Sequence, residues 1–415
     1  MKRLIDRSGI LEVLSSLDLP VQGSNRGYSP IQLIQAFWVS VWCGANRFMH
    51  LEILRIDDTL QKLFGWRRMA GHKSFQRYFT KFGQAGNQRV FHGLYQWFFS
   101  QLQFDNYSLD LDSTVLTRYG NQQGSAKGHN SKKPGRKSHH PLMAFVSDCR
   151  MVANFWLRSG GTWTTNNFEA FLRDTLDKLQ GKTIGLLRAD SGFYDKAVFN
   201  VLEGLSIQYI IAAQMYPVIQ RSISTAQYWI PTTDGVEVSS VMYQSPLWNA
   251  PRRLVIVRQN VKERPNARGM TLRLFADDEQ MKGYRYTAFV TNLTLPAKEV
   301  WALYRNRADA ENRIKELKED FALQSFCMNN FYATETALNW VMLAYNMMSL
   351  FRIAILKTTV QPQLKTLRYK LFAVPAYITK NGNQRILNMA VAMQRRKWFE
   401  GLFSELEEFE MPYAI

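Results

Sequence analysis

Three acidic residues lie at positions in the sequence where carboxylates could act together. Asp112 belongs to the strand-like stretch YSLDLDSTVL, Asp190 ends the apolar stretch TIGLLRAD, and Glu311 lies within YRNRADAENRIKELKEDF. In an open α/β sheet, the carboxyl ends of the strands face the crevice in which ligands bind. Carboxylates that gather there without His or Cys favour Mg²⁺, or Mn²⁺ as a substitute, over zinc. Two such ions could activate a water or a 3′-hydroxyl for phosphodiester chemistry.

The stretch around Glu311 predicts one helix from residue 304 to residue 321, because it lacks Gly and Pro and is rich in helix formers. An apolar stripe on this helix borders a narrow arc of polar side chains, namely Tyr304, Arg307, Glu311, Lys315 and Lys318. Most of the remaining charges fall on the solvent side, namely Arg305, Asp309, Arg313, Glu316 and Asp320. Glu311 could serve a site there, or it could simply pair with Arg307 and Lys315 one turn away.

Asp110 is a second candidate on the first strand. Side chains alternate between the two faces of a strand, so Asp110 and Asp112 point to the same side. The residues alone leave both open as ligands.

The elements that must position these acids suggest an α/β fold with a mixed sheet and flanking helices. Residues 1–104 read as a helical domain, a candidate DNA-binding domain, and strands and helices alternate over 105–216. Residues 217–296 are β-rich with no intervening helix, which predicts an all-β insertion. Residues 297–358 complete the core with the Glu311 helix. Residues 359–415 predict a hairpin around Asn381-Gly382 and a last helix, a candidate dimerisation segment.

The charge balance favours a polyanionic partner. Lys and Arg number 52 against 34 for Asp and Glu, giving a net charge of +18. Such an excess indicates nucleic acid in preference to an acidic membrane surface. The apolar stretch at 338–356 is broken by polar residues, so it predicts a buried helix and no membrane span. Three scattered cysteines and a charged N-terminus without an apolar run favour a reducing cytoplasm.

Two further basic stretches could contact DNA. Lys73 and Arg77 share one face of a short helix with Lys81. A polar loop carries a second set, namely Lys132, Lys133, Arg136, Lys137, His139 and His140. Both sets could instead be solvated surface, and the His pair has no Cys or carboxylate at zinc-ligand spacing. Trp229 and Trp248 could stack on an unpaired base or could simply pack in the fold.

Taken in order, these motifs resemble a known family. YRNRADAENRIKELK is similar to the Tyr-x₂-Arg-x₃-Glu-x₆-Lys signature of a branch of bacterial insertion-sequence DDE transposases (families four and thirteen-eighty). Tyr304, Arg307, Glu311 and Lys318 match its four positions, and DLDST and RADSGFYD look like its two aspartate motifs. The similarity runs from about residue 105 to about residue 392.

The resemblance implies an RNase H-like catalytic core with a β insertion. It implies that Asp112, preferred over Asp110 by the motif, binds Mg²⁺ together with Asp190 and Glu311, with two ions per site. Tyr304, Arg307 and Lys318 would hold phosphates near the cleaved end. The expected activity is cut-and-paste transposition by a homodimer that pairs two ends of double-stranded DNA, in the bacterial cytoplasm at the nucleoid. The alternatives are an RNase H-like nuclease without strand transfer and a domesticated DNA-binding protein without activity.

Overall fold

The computed structural model describes residues 1–23, 27–130, 132–233, 235–260, 283–358 and 360–415. Residues 261–282 of the predicted β-rich segment 217–296 lie outside these residues, and so does the strand that the sequence MTLRLFADD in them predicts. The chain begins with helices, as the sequence predicts: α1 (Lys2–Arg7), α2 (Ile10–Ser16), α3 (Pro30–Trp42), α4 (Asp58–Phe64), α5 (His72–Phe79) and α6 (Gln84–Ser100). Helix α3 starts where the Ser-Pro pair indicates, because the Ser29 side chain accepts a hydrogen bond from the Gln32 amide at 3.1 Å.

Strands and helices then alternate. The strands up to the middle of the chain are β1 (Leu102–Gln103), β2 (Tyr107–Ser113), β3 (Leu116–Thr117), β4 (Ala126–Lys127), β5 (Lys137–His139), β6 (Leu142–Val146), β7 (Met151–Trp156), β8 (Ile184–Ala189) and β9 (Tyr209–Ala212). The helices among them and just after them are α7 (Phe168–Lys178), α8 (Lys196–Gly204) and α9 (Pro217–Ser224).

The second half of the chain adds strands and then helices. The strands are β10 (Ile230–Pro231), β11 (Val236–Tyr243), β12 (Arg252–Asn260), β13 (Tyr284–Thr291), β14 (Ala376–Asn381), β15 (Gln384–Met389) and β16 (Tyr413–Ala414). The helices are α10 (Ala297–Arg305), α11 (Ala308–Glu319), α12 (Phe331–Phe351), α13 (Leu364–Leu367) and α14 (Met393–Glu408).

Nine strands of the described residues form one mixed sheet in the order β10-β11-β12-β13-β9-β8-β2-β6-β7. Strands β2, β8 and β9 run parallel at its centre, and the other pairs are antiparallel. This sheet with its helices confirms the mixed α/β class. The β-rich segment extends the central sheet through the pairing of β13 with β9. It also begins with a helix, α9, which the sequence reading missed. Pro217 fits the first position of α9, and Ile219 and Ile223 bury one face of it.

The predicted helix from 304 to 321 is wrong in one respect, because it is two helices. Helix α10 ends at Arg305 and α11 begins at Ala308. A tight turn separates them, in which the Arg307 amide donates to the Tyr304 carbonyl and the Ala310 amide donates to the Arg307 carbonyl. This turn directs the Arg307 side chain inward, and Arg307 is 3% exposed.

Three charges predicted to face solvent are buried instead, namely Arg313, Glu316 and Asp320. Glu316 accepts a hydrogen bond from Arg352 at 2.5 Å, and Asp320 accepts one from the Lys365 amide at 3.0 Å. Arg313 donates to the Ser147 carbonyl at 3.3 Å. Glu316 and Asp320 are thus paired, whereas two nitrogens of Arg313 are buried without a hydrogen-bond partner among the described residues. Helix α11 is therefore buried on a wider arc than its apolar stripe.

Helix α12 forms the centre of the core. The helical stretch Phe331–Leu356, which includes α12, is long and apolar enough to span a membrane by composition. However, 94% of its most apolar 18 residues are buried inside the protein. The indole N–H groups of Trp38 and Trp42 donate to the Trp340 and Ala344 carbonyls at 3.0 Å each. The N-terminal helices therefore share one hydrophobic core with α12 and the sheet.

Candidate active site

Two parallel strands bring Asp112 and Asp190 to one edge of the sheet. Leu111 of β2 pairs with Ala189 of β8, and each aspartate directly follows one of these residues. Asp112 is 6% exposed, whereas Asp190 is half-buried and accepts a hydrogen bond from the Gly192 amide at 3.0 Å. The carboxyl ends of parallel strands lie at the same edge of a sheet, so the juxtaposition follows from the pairing of β2 with β8.

Arg307 links Glu311 to this edge. Its Nη2 lies 2.8 Å from Asp112 Oδ2, and its Nη1 lies 3.4 Å from Glu311 Oε1. The Glu311 side chain is 71% exposed, on the first turn of α11. Within the described residues, no three His, Cys, Asp or Glu side chains are grouped closely enough to hold one metal ion. The expected convergence of three carboxylates is therefore incomplete here, because the guanidinium of Arg307 lies between Asp112 and Glu311.

The electrostatics of the site are those of crowded carboxylates. Burial raises the pKa of Asp112 to about 7, against the opposing effect of Arg307, and the charges of Asp190 and Glu311 raise it further. Burial works against the charge of Arg307 too, but the carboxylate of Asp112 leaves the pKa of Arg307 above its usual value. The positive charge of Arg307 therefore favours the ionised form of Asp112.

The donor set fits a divalent metal ion of the hard type. Asp112, Asp190 and Glu311 offer only carboxylate oxygens, which Mg²⁺ and Mn²⁺ prefer. The mutual repulsion that raises the Asp112 pKa is the kind that a bound cation relieves. In addition, Nε of Arg307 is buried without a hydrogen-bond partner among the described residues, so the arginine is incompletely satisfied in its present position.

The other two positions of the signature flank the carboxylates. Burial raises the pKa of Tyr304 to about 12, and its hydroxyl lies 3.5 Å from the Ala189 carbonyl, next to Asp190. Burial also lowers the pKa of Lys318 to about 8; the nearby Lys132 lowers it further, whereas Asp112 raises it. Lys318 and Lys132, which are distant in sequence, therefore lie within electrostatic range of each other.

A polar wall borders the aspartates, and it contains His140, which the sequence analysis gave as a candidate DNA contact. His140 Nδ1 donates to the Thr162 carbonyl at 3.0 Å, so Nε2 of the neutral ring accepts from the Ser113 hydroxyl at 3.2 Å. Ser113 Oγ also lies 3.3 Å from Thr164 Oγ1. His140 is buried, and burial lowers its pKa. It therefore contacts the site as a neutral, orienting group, and the Thr side chain that completes the wall had no sequence signal.

Asp110, the alternative ligand, is engaged elsewhere. It is fully buried, and its two oxygens lie 2.6 and 3.0 Å from Arg188 Nε and Nη2. Arg188 also donates to the Leu303 carbonyl of α10 at 2.6 Å. This ion pair joins β2, β8 and the helix before the Arg307 turn. An Arg inside the apolar stretch TIGLLRAD was the signal that could have found it.

The remaining basic candidates are placed on the surface, apart from one histidine. Lys73 and Arg77 are exposed on α5, and Lys315 is exposed on α11. The polar loop presents four exposed cations, namely Lys132, Lys133, Arg136 and Lys137. Exposed Tyr119 lies beneath two of these, with Lys133 Nζ 4.9 Å from its ring centroid. His139 is buried and accepts a hydrogen bond from Arg118 at 2.9 Å, so it faces away from any ligand.

The two tryptophans differ. Trp248 is 7% exposed and packs against Tyr243 and Phe199, so it is a core residue. Trp229 is half-exposed, and the Arg258 guanidinium lies 4.1 Å from its ring centroid.

The chain is similar to known proteins. Residues 1–411 match the family described as transposase DDE domain, group 1. No curated protein matches the chain. Among solved structures, a piggyBac transposase synaptic complex with hairpin DNA, determined by cryo-EM, matches with 12% identity and a TM-score of 0.46. That match covers 89% of this chain and 76% of the other. The structure defines the class of protein as mixed α/β, with aspartates at the ends of two adjacent strands. Within this class, the chain belongs to the DDE transposase family, and the protein is a DNA transposase. This confirms the resemblance to DDE transposases, whereas the branch of families four and thirteen-eighty stays a prediction.

Proposed function

We propose that this transposase cleaves DNA at the ends of an insertion sequence and joins the freed 3′-hydroxyl to target DNA by a cut-and-paste route. The observation that supports it most is the placement of Asp112 and Asp190 on adjacent parallel strands, with Glu311 tied to Asp112 through Arg307. The central order β7-β6-β2-β8-β9, with three parallel strands beside an antiparallel pair, supports an RNase H-like core.

Asp112, Asp190 and Glu311 would hold Mg²⁺, with two ions per site. The bound ions would supply Lewis-acid activation of the attacking oxygen and stabilisation of the leaving oxygen. For Glu311 to join the aspartates, the guanidinium of Arg307 must move from between Asp112 and Glu311. A DNA phosphate offers it a replacement anion, and an arginine fork binds phosphate oxygens in two places. Arg307 would thus couple DNA binding to completion of the carboxylate set.

The direct test is cleavage of a duplex that carries the element's terminal repeat. We expect nicking at the repeat boundary with Mg²⁺ or Mn²⁺, none with a chelator, and strand-transfer products when target DNA is added. Cleavage without any strand transfer would favour the simple nuclease. Metal-independent binding without cleavage would favour a domesticated DNA-binding protein. A duplex with a scrambled repeat is the matched control.

We propose further that Lys318 holds a phosphate near the cleaved end, since it lies within electrostatic range of Asp112 and Lys132. Lys318→Ala is expected to weaken end binding by about 1 to 3 kcal/mol, through the loss of a charge-assisted hydrogen bond. Because the pKa of Lys318 is lowered to about 8, its charge is present below that pH and is lost above it. End binding should therefore weaken as the pH rises through about 8.

The variant Lys318→Arg distinguishes the titration of Lys318 from the titration of other groups. Lys318→Arg stays charged at high pH, so its affinity should fall less than that of the parent across the same range. Lys298→Arg, an exposed lysine on α10, should leave the pH profile unchanged. Fluorescence anisotropy with a labelled end duplex measures all three proteins. Identical pH profiles for the parent and Lys318→Arg would contradict the role of Lys318.

The paired-end complex is proposed to contain two copies of the chain acting on double-stranded DNA in the bacterial cytoplasm. This part rests on the family alone. Sedimentation of the protein with two end duplexes is its test, with a single complex of two chains and two duplexes as the expected species.

A further inference from the structure

One segment near the C-terminus carries a charge imbalance that the active site does not use. Residues 357–399 contain nine Lys and Arg and no Asp or Glu, which is a charge of +9 out of the chain's +18. The next eleven residues, 400–410, contain five Glu and no cation. A segregation of this kind sets up a local field that a uniform mixture of charges does not.

Two of the nine cations are engaged by other groups of the protein. Arg368 donates to the carbonyls of Trp42, Val41 and Asp320 and is partly buried. Lys357 forms an ion pair with Glu405 at 2.5 Å. The other seven form no ion pair within the described residues: Lys365, Lys370, Lys380, Arg385, Arg395, Arg396 and Lys397. All of these except half-buried Arg395 are exposed.

The glutamates of α14 do not neutralise these cations. Glu405 pairs with Lys357, and Glu407 pairs with Arg3 at 2.9 Å. Nine residues of helix separate Arg396 from Glu405, which is about 13 Å along the axis. This distance exceeds the Debye length of about 8 Å at physiological ionic strength. Glu400 lies closer, one turn from Arg396 and Lys397, but it forms no ion pair with either cation among the described residues.

The cations are fixed on a connected surface. Arg385 of the β14–β15 hairpin donates to the Lys62 carbonyl of α4 at 3.0 Å, and Thr59 donates to the Ala376 carbonyl at 3.4 Å. At the other side, Arg395 of α14 donates to the Lys370 carbonyl of the π-helical turn Arg368–Phe372. The hairpin is thus held against α4, and the start of α14 is held against this turn. We call Lys370, Lys380, Arg385, Arg395, Arg396 and Lys397 the C-terminal basic surface.

Exposed aromatic rings are interspersed with these cations. Tyr369 is 81% exposed, Tyr377 is 62% exposed and Trp398 is 39% exposed. The Arg395 guanidinium lies 5.5 Å from the Trp398 ring centroid. Cations that alternate with aromatic and amide side chains suit a phosphate backbone, where side chains of both kinds donate to phosphate oxygens.

The segment also adjoins the helix of the candidate active site. The Leu364 amide donates to Glu316 at 2.7 Å, and the Lys365 amide donates to Asp320 at 3.0 Å, both at the C-terminal end of α11. Glu311 and Lys318 are seven residues apart on α11, about 10 Å along its axis. A duplex that follows α11 from Glu311 past Lys318 would therefore arrive at the start of this segment.

We propose that the C-terminal basic surface binds the backbone of duplex DNA, independently of sequence and outside the active site. The inference rests on DNA being the substrate of this transposase, and it assigns part of the binding to residues that carry no catalytic motif. The surface would hold the duplex through phosphate contacts while the carboxylate site acts on one phosphodiester.

The test is the salt dependence of duplex binding with the triple variant Lys380→Gln/Arg396→Gln/Lys397→Gln. Each phosphate contact contributes about 0.9 to the slope of log K against log salt, so the slope should fall by about 2 to 3. Affinity for a random-sequence duplex at physiological salt should fall at least about tenfold. The three side chains are exposed and leave the anchoring bonds of Arg385 and Arg395 intact, so circular dichroism should be unchanged.

A matched variant controls for net charge. Arg221→Gln/Arg285→Gln/Lys298→Gln removes the same charge from exposed positions on α9, β13 and α10. It should leave the slope and the affinity close to those of the parent. Equal losses in both variants, or no loss in the first, would overturn the proposal. Loss of binding to anionic phospholipid vesicles with unchanged duplex binding would overturn it too.

Duplex binding is measured in the presence of a chelator, and all of the compared proteins also carry Asp112→Ala. Binding through the C-terminal basic surface needs no metal and no cleavage. A failure of the proposed chemistry would thus leave this result unaffected, and a failure here would leave the chemistry untouched.

Discussion

Asp112→Ala is expected to abolish metal-dependent cleavage while end binding persists. Asp112 is 6% exposed at the end of β2, beside Asp190, and no other carboxylate of the described chain occupies that position. Metal ions contribute several kcal/mol to stabilisation of the transition state, so loss of a ligand should slow cleavage by at least about a thousandfold. Asp190→Ala and Glu311→Ala should have effects of the same order.

The affinity of these three variants for the end duplex should not fall. Removal of a carboxylate from a site that approaches phosphate lowers repulsion, so each variant should bind the end at least as tightly as the parent. Cleavage of a labelled end duplex on a denaturing gel, with anisotropy for binding, measures the two properties separately. Loss of binding in step with cleavage would mean that the acids are structural.

Asp309→Ala is the matched control for Glu311→Ala. Asp309 lies two residues earlier on the same turn of α11, with a side chain 52% exposed and two long ion pairs of 3.7 and 3.8 Å. It should cleave at nearly the parental rate, since its carboxylate is exposed and both of its ion pairs are long. An Asp112→Ala protein that still cleaves would remove Asp112 from the site. A Glu311→Ala protein that cleaves normally would place the third carboxylate elsewhere.

The sequence was sufficient to find the residues at strand ends. A period of two in YSLDLDSTVL and an apolar run ending at Asp190 are local patterns, and parallel pairing of such strands brings their ends together. The helical start of the chain and the Asn381 hairpin also follow from local patterns of caps and turns.

Long-range ion pairs explain the burial of Glu316 and the break in the helix at Arg307, which the sequence did not predict. The helical wheel assigned Glu316 to solvent because its partner, Arg352, lies 36 residues further along the chain. Likewise, helix propensity favoured an unbroken helix through Arg307, whereas the bond from its guanidinium to Asp112 spans 195 residues. Propensity and periodicity describe neighbours in sequence, so neither can anticipate a charge supplied by a distant strand.

The role of β10–β13 illustrates the same point for the sheet. Each strand was recognisable from its own pattern, but the pairing of Phe289 with Ala212 decides that they extend the central sheet. Thr164 is a comparable case at the site, because its contact with Ser113 depends on a loop whose path no local pattern encodes.

The ion pair beneath the site should dominate the stability of the sheet centre. Arg188 and Asp110 are 2% and 0% exposed, with an N–O distance of 2.6 Å. Arg188→Met keeps the volume but leaves the Asp110 carboxylate buried without its cation. Loss of one partner of a buried pair typically costs about 3 to 5 kcal/mol, because an uncompensated charge remains. We expect the free energy of unfolding of Arg188→Met to fall by that amount in urea titrations.

The double variant Asp110→Leu/Arg188→Met separates stability from positioning. Apolar replacement of both partners removes the unpaired charge, so most of the lost stability should return. The Leu303 carbonyl, however, still lacks the guanidinium that holds α10 at 2.6 Å, and α10 leads into the turn that places Arg307. The double variant should therefore remain slow in cleavage although it is folded. Arg173→Ala, which breaks an exposed pair with Glu169, should cost less than about 1 kcal/mol and leave cleavage intact. If Arg188→Met unfolds at the parental urea concentration, Arg188 does not stabilise the sheet centre. If the double variant cleaves at the parental rate, Arg188 does not position the Arg307 turn.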